Sequence, residues 1–176
     1  CSNKNHCWQE VEFKENVFLV DHVGEYISAL SNSAAMLGRK YAYLIWGVND
    51  KTHEIMGTNI DYNKSINNEP IKHYLARKLN PSISFEFEET IIDNKRVVIL
   101  IIPAAKIVPT SFNDIRYIRI GSSKETLKKY PERRKTMKKL LSIILTILMV
   151  VTMLPMAVLP ASAISKTQDG FIVHVT

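Results

Sequence analysis

The spacing of apolar residues changes along the chain, and each change marks an element. Val11 and Phe13 alternate with Glu10, Glu12 and Lys14, which reads as a short strand with the charged side chains on the face opposite the apolar pair. Asp21 then caps a helix in which Val23, Ile27, Leu30 and Ala34 recur at helical spacing, so one stripe packs on a sheet. Tyr41 to Val48 is too continuously apolar for an edge and reads as a central strand. Asn49, Asp50, Lys51 and Thr52 form a turn, and Ile55 to Gly57 return as the second arm of a hairpin.

Asp61 to Glu69 is polar and reads as loop. A helix follows from Pro70 with Ile71, Tyr74, Leu75 and Leu79 as its buried stripe, ended by Asn80 and Pro81. Ile83, Phe85 and Phe87 alternate with Ser84, Glu86 and Glu88 as a half-buried strand. Asp93-Asn94 turns it into a second central strand, Arg96 to Ile102, which Pro103 terminates. Ile115 to Ile120 is the last strand, and Ser122-x-x-Glu125 after Gly121 has the form of a capping box that opens a helix. This order predicts an α/β domain with a single mixed, partly antiparallel sheet and two to three helices, plus a C-terminal apolar helix outside the domain.

Composition changes that picture at the C-terminal side. The 46% apolar content is inflated by residues 137–163, and what precedes them has the composition of one globular domain. The net charge of +6 favours acidic partners such as nucleic acid or anionic lipid, but much of the excess is local. Lys124, Lys128, Lys129, Arg133, Arg134, Lys135, Lys138 and Lys139 fall in one short run opposed only by Glu125 and Glu132. The two cysteines, Cys1 and Cys7, imply neither a disulfide framework nor a four-ligand metal site, and residues 1–136 fit a reducing cytoplasm.

From Met137 the chain reads as a secretory signal. Two lysines precede the apolar run Leu140 to Leu154, prolines follow at 155 and 160, and Ala161-Ser162-Ala163 has the small-x-small form of a signal-peptidase site, with Ala161 and Ala163 as its recognition residues. The alternative is a membrane anchor, with Leu140 to Leu159 in contact with lipid. A Sec export signal behind a cytoplasmic domain is an odd arrangement. Met137 is therefore expected to open a different unit, joined to the domain at residues 8–132 through a basic junction and helix (133–163) and followed by a short tail (164–176).

EFKEN at Glu12 to Asn16, GEYISALSNSAA at Gly24 to Ala35, YAYLIWGVNDKTHEIMGT at Tyr41 to Thr58 and YIRIGSSKETLKKYPE at Tyr117 to Glu132 resemble, in order and spacing, the Schlafen AlbA_2 domain. The resemblance covers Trp8 to Glu132. It implies an α/β module that binds DNA or RNA, often ahead of an ATPase-like region and a winged helix, neither of which follows here. The chain departs from the pattern where Ser33-Ala34-Ala35 and an insertion to Lys40 replace a frequent Gly-Gly.

Relatives that cleave RNA use three carboxylates. By matching positions, Glu12 and Asp50 are two of them, the first falls on Cys7, and Glu10 is the neighbouring carboxylate that substitutes if the register shifts. Such carboxylates hold one or two divalent ions that activate water against a phosphodiester, so Glu12 and Asp50 are the metal ligands of a ribonuclease reading. The leading expectation is nucleic-acid binding through phosphate contacts from Lys14, Arg119, Ser122, Ser123 and Lys124. There a guanidinium stands beside a glycine turn and a helix N-terminus.

Tyr41, Tyr43 and Trp46 are base-stacking platforms on one reading and core residues on the other, with Tyr43 or Trp46 going to the core. His22, His53 and His73 share no metal-ligand spacing, and with no Walker loop or Rossmann fingerprint there is no ATP site. A third reading is a protein-interaction module that forms a homodimer through exposed sheet edges.

Overall fold

The computed structural model describes residues 10–153, and side chains to residue 150. The expectations placed on Cys7, Trp8, Ala161 and Ala163 lie outside the described residues. In chain order the elements are β1 (Val11–Lys14), α1 (Val20–Met36), β2 (Tyr41–Trp46), β3 (Ser65–Ile66), β4 (Glu69–Pro70), α2 (Ile71–Lys78) and β5 (Leu79–Asn80). They continue with β6 (Glu86–Ile92), β7 (Lys95–Pro103), β8 (Ser111–Phe112), β9 (Ile115–Ile120), β10 (Ser123–Thr126), a 3-10 turn at Leu127–Lys129, and α3 (Pro131–Met153).

The class is mixed α/β as expected, but the strands do not form a single sheet. One four-stranded sheet has the order β1-β2-β7-β6, parallel only between β1 and β2. A second, antiparallel, has the order β10-β9-β8-β5, and β3-β4 is a separate two-stranded ribbon. Helix α1 is in contact with strands of both larger sheets and is buried on more than one side, from Val23 through Ala34. Its apolar stripe of Val23, Ile27, Leu30 and Ala34 joins Leu44, Trp46, Val98, Leu100 and Ile102 in the main core.

The other side of α1 is polar, which apolar periodicity does not reveal. Ser28 Oγ donates to the Thr110 carbonyl at 2.7 Å and Ser31 Oγ to that of Pro103 at 2.8 Å. Asn32 Nδ2 reaches the carbonyls of Thr110 and Tyr117, both at 2.8 Å, while its Oδ1 accepts from Thr110 N. These side chains pair backbone groups between the short strands, where no ladder does so. Near the start of α1 the ring of Phe112 lies so close to Gly24 that a Cβ there would sit 2.1 Å from it.

Several local expectations need correction. Asp21 is not the cap of α1: the cap position is Leu19 with no side-chain bond, and Asp21 in the first turn accepts from the Tyr74 hydroxyl at 2.8 Å. Ile55 to Gly57 is not a strand, because the amides of Met56 and Gly57 both turn in to the Gly47 carbonyl and leave a single Val48–Ile55 bridge. The strand expected from Ile83 begins at Glu86, with Ile83 and Phe85 still packed on the core. Ser122-x-x-Glu125 opens no helix; Gly121-Ser122 is a two-residue turn, with Gly121 at φ +61°, joining β9 to β10.

The continuously apolar β2 and β7 are central strands, yet they are covered unevenly. Ala42, Leu44, Trp46, Val98, Leu100 and Ile102 are buried on the α1 side. On the other face Tyr41 is exposed, and Tyr43, Ile45, Ile99 and Ile101 are half-buried.

The apolar C-terminal helix is not set wholly outside the domain. α3 runs unbroken across Met137, and Met137 and Leu141 are buried against Ile118 and Leu127 in a second small core. Beyond them Ile143, Ile144, Leu145, Ile147, Leu148, Met149 and Val150 are exposed. Among the described residues no helix is long and apolar enough to cross a membrane, so the anchor reading of Leu140–Leu159 gains no support there.

Candidate nucleic-acid interface

Parallel pairing sets Glu12 beside Leu44 and Lys14 beside Trp46, on the face that α1 covers. Glu12 is therefore inside, only 4% exposed, and the expected orientation of β1 is reversed: Val11 and Phe13 are on the more open face. A lone carboxylate in that position is costly. Two cations answer it, Lys14 Nζ at 2.6 Å from Oε1 and Arg119 Nη1 at 2.6 Å from Oε2.

Arg119 was expected at the surface and is 5% exposed. Its guanidinium also donates to the carbonyls of Val11 and Gly121, and its own amide donates to the Ser33 hydroxyl oxygen at 3.1 Å. This arginine ties the second sheet to β1, and although its Nε has no partner among the described residues, burial keeps the guanidinium out of reach of phosphate. Lys124 is likewise engaged, paired with Glu25 and standing 4.5 Å over the Tyr26 ring. Ser122 and Ser123 are exposed at the tip of the β9-β10 hairpin.

The electrostatics match this enclosure. Burial draws the Lys14 ammonium pKa down, but the hydrogen bond and charge of Glu12, with help from Tyr26, outweigh it, and the net shift is upward. Burial first and the Glu12 charge second raise the Tyr26 phenol. Tyr117 is raised by burial and then by Glu25.

The three carboxylates of the nuclease reading are not gathered. Glu10 pairs with Arg39 at 3.5 Å, Glu12 is held by two cations, and Asp50 is exposed in its turn. Asn49, not Asp50, builds that turn, its Oδ1 accepting from the amides of Lys51 and Thr52 at 2.9 and 2.8 Å. Among the described residues no group of three or more His, Cys, Asp or Glu side chains is placed to hold a metal ion.

The open positive charge lies elsewhere. Arg116, Lys128 and Arg134 line a cleft of about 400 Å³ with Asp114, Ile115, Thr126 and Leu127. Three elements deliver them. Arg116 has the same parity on β9 as Ile118, which faces α3; Lys128 comes from the 3-10 turn; Arg134 lies one turn before buried Met137 on the same helix face. Lys14, Arg39, Arg77, Lys78, Arg96, Arg119, Lys124 and Lys129 are each in an ion pair. Among the described residues, Arg116, Lys128 and Arg134 are in none, nor are Arg133, Lys135, Lys138 and Lys139 beside them. The basic run was visible in the sequence but Arg116 was not singled out; strand alternation with Ile118 is the signal that places it.

The molecule is thus a two-sheet α/β domain with a cleft whose lining carries three cations and one carboxylate, Asp114. The chain belongs to the Schlafen AlbA_2 family, whose sequence profile matches residues 8–128. No curated protein sequence matches it significantly. Among solved structures it is similar to the DIP2311 protein of Corynebacterium diphtheriae, at 20% identity and a TM-score of 0.44, covering 67% of this chain and 22% of that one. It is also similar to the N-terminal domain of a RecG-related protein of Nitrosomonas europaea, at 21% identity and a TM-score of 0.40, covering 66% and 82%. The chain thus spans about a fifth of the length of the DIP2311 protein.

Proposed function

We propose that the domain binds nucleic acid through the phosphate backbone, seated in the cleft of Arg116, Lys128 and Arg134. The observation that carries this reading is convergence: Arg116, Lys128 and Arg134, none of them in an ion pair among the described residues, meet in one cleft and are followed along α3 by Lys135, Lys138 and Lys139, which are in none either. Unpaired cations from three elements converging on one concavity suit a polyanion, and neutralising its phosphates releases condensed counterions. Family membership supports association with nucleic acid. Of the residues first expected to hold phosphate, Arg119 and Lys124 act instead as internal ties and Lys14 as the partner of Glu12. Ser122 and Ser123 are left as hydroxyl donors at the hairpin tip. No observation favours the metal-dependent ribonuclease, since both Glu12 oxygens are occupied by cations.

Fluorescence anisotropy with labelled oligonucleotides across a salt series tests the reading. Three phosphate contacts give a log K against log salt slope of about −2 to −3, at roughly −0.7 to −0.9 per contact. The double variant Arg116→Ala/Arg134→Ala is expected to lose about two contacts from that slope. Absence of binding at low salt, or binding indifferent to salt, refutes it.

A further inference from the structure

The open face of the first sheet carries a groove of about 810 Å³, walled by Tyr41, Tyr43, Ile101, Pro103, Ile107 and Val108. We infer that this groove holds the unstacked bases of a single-stranded nucleic acid whose backbone enters from the basic cleft. This rests on the phosphate-binding function proposed above and adds the form of the ligand.

Continuity is the first argument. Arg116 of the cleft donates from Nε to the Pro109 carbonyl at 3.3 Å, and both neighbours of Pro109, Val108 and Thr110, line the groove. One residue separates the basic surface from the aromatic one.

Geometry is the second. Tyr41 and Tyr43 are alternate residues of β2 on one face, so their rings are set roughly 6.6 Å apart along the strand. Successive bases of a duplex rise about 3.4 Å per strand, and their faces are covered by their neighbours. Rings at twice that spacing suit splayed bases, which stack on aromatic side chains without regard to sequence. Trp46, the third aromatic of this strand, is excluded, being 1% exposed with Nε1 donating to the Val17 carbonyl.

Charge supplies the third and sets an orientation. Lys40, whose Nζ lies 5.2 Å from the Tyr41 ring, and exposed Lys106 offer cations on one side for the backbone. Glu86 lies on the β6 side and is exposed, with Glu88 next on the same face of that strand. These carboxylates repel phosphates and accept from exocyclic amino groups such as N4 of cytosine.

The test compares a labelled 12-nucleotide single strand with a duplex of the same length, on the full chain and its Tyr41→Ala, Tyr41→Phe and Arg116→Ala variants, with circular dichroism confirming each fold. Tyr41→Ala is expected to weaken single-strand binding by about 5- to 100-fold, as loss of one stacking platform does, while Tyr41→Phe retains it. Arg116→Ala weakens both ligands. Equal affinity of Tyr41→Ala and the parent for the single strand overturns the groove proposal and leaves the cleft intact. Failure of the parent to bind either ligand at low salt sinks the phosphate reading and this one with it. If light scattering finds a dimer that Tyr41→Ala makes monomeric, the groove is a self-association face and the stacking role is overturned.

Discussion

Replacing Asn32 by alanine removes a side chain that makes three hydrogen bonds inside the protein and none to solvent. Asn32 is 0% exposed, donates to the Thr110 and Tyr117 carbonyls, and accepts from the Thr110 amide. The Thr110 carbonyl keeps a donor, because Ser28 Oγ also reaches it at 2.7 Å. The Thr110 amide loses its partner and the Tyr117 carbonyl loses a donor. An orphaned buried amide costs about 1–3 kcal/mol and each lost net hydrogen bond about 0.5–1.5 kcal/mol, so the variant is expected to lose about 2–5 kcal/mol. Against a global stability on the order of 5–15 kcal/mol, that is readily measured by urea unfolding followed at 222 nm.

Asn32→Asp sharpens the test. The carboxylate still accepts from the Thr110 amide, but its second oxygen faces two carbonyls, so burial and repulsion raise its folded pKa. A raised carboxylate pKa destabilises the fold at neutral pH, and the penalty shrinks as pH falls toward the folded value and the acid becomes a donor. Recovery of Asn32→Asp between pH 7 and 5, with Asn32→Ala unchanged over that range, is the expected signature. A loss below about 1 kcal/mol for Asn32→Ala would refute the role assigned to the polar side of α1.

Three further outcomes follow from the same structure. Glu12→Gln leaves Arg119 buried beside an uncharged partner and is expected to cost about 3–5 kcal/mol by chemical denaturation, whereas the apolar pair Glu12→Leu/Arg119→Met costs less than that single change. Gly24→Ala drives a methyl into the Phe112 ring and is expected to cost about 1–3 kcal/mol in thermal unfolding, partly restored by Phe112→Leu. Glu89 is drawn down to about 2 by its hydrogen bonds from Arg96 and then Tyr62. Its folded pKa is depressed, so its stabilisation is complete above the unfolded carboxylate range and is lost as pH falls from about 4.3 toward 2. The melting temperature of the parent should fall through that window more steeply than that of Arg96→Met.

Where a pattern was local, the sequence carried it well. The period of Val23, Ile27, Leu30 and Ala34 located α1, and the apolar runs of β2 and β7 located the centre of the first sheet, because burial against one layer leaves a periodic trace. What it did not carry were pairings over long separations. Glu12 alternates with Val11 and Phe13 as a solvated residue would; its burial is made tolerable by Lys14 together with Arg119, which lies 107 positions further along the chain. Ser122-x-x-Glu125 satisfies the capping-box spacing, yet the Gly-Ser turn and the register of Lys124 opposite Arg119 make it a hairpin. The same long reach bears on the expected phosphate contacts: Lys14 and Arg119 turn inward to Glu12, and the contacts proposed in their place are Arg116, Lys128 and Arg134.

The polar side of α1 has a consequence for synthesis. Part of the packing partner of the apolar stripe, Leu44 and Trp46 of β2, follows the helix closely in the chain, whereas Asn32 waits for Thr110, 78 residues on. At about 5–20 residues per second the ribosome takes roughly 4–16 s to supply that strand. For that interval Ser28, Ser31, Asn32 and Ser33 face water, which hydrates them at no cost. An apolar surface left bare for as long would invite the nascent chain to stick to its neighbours; a surface of serines and asparagine offers no such hold.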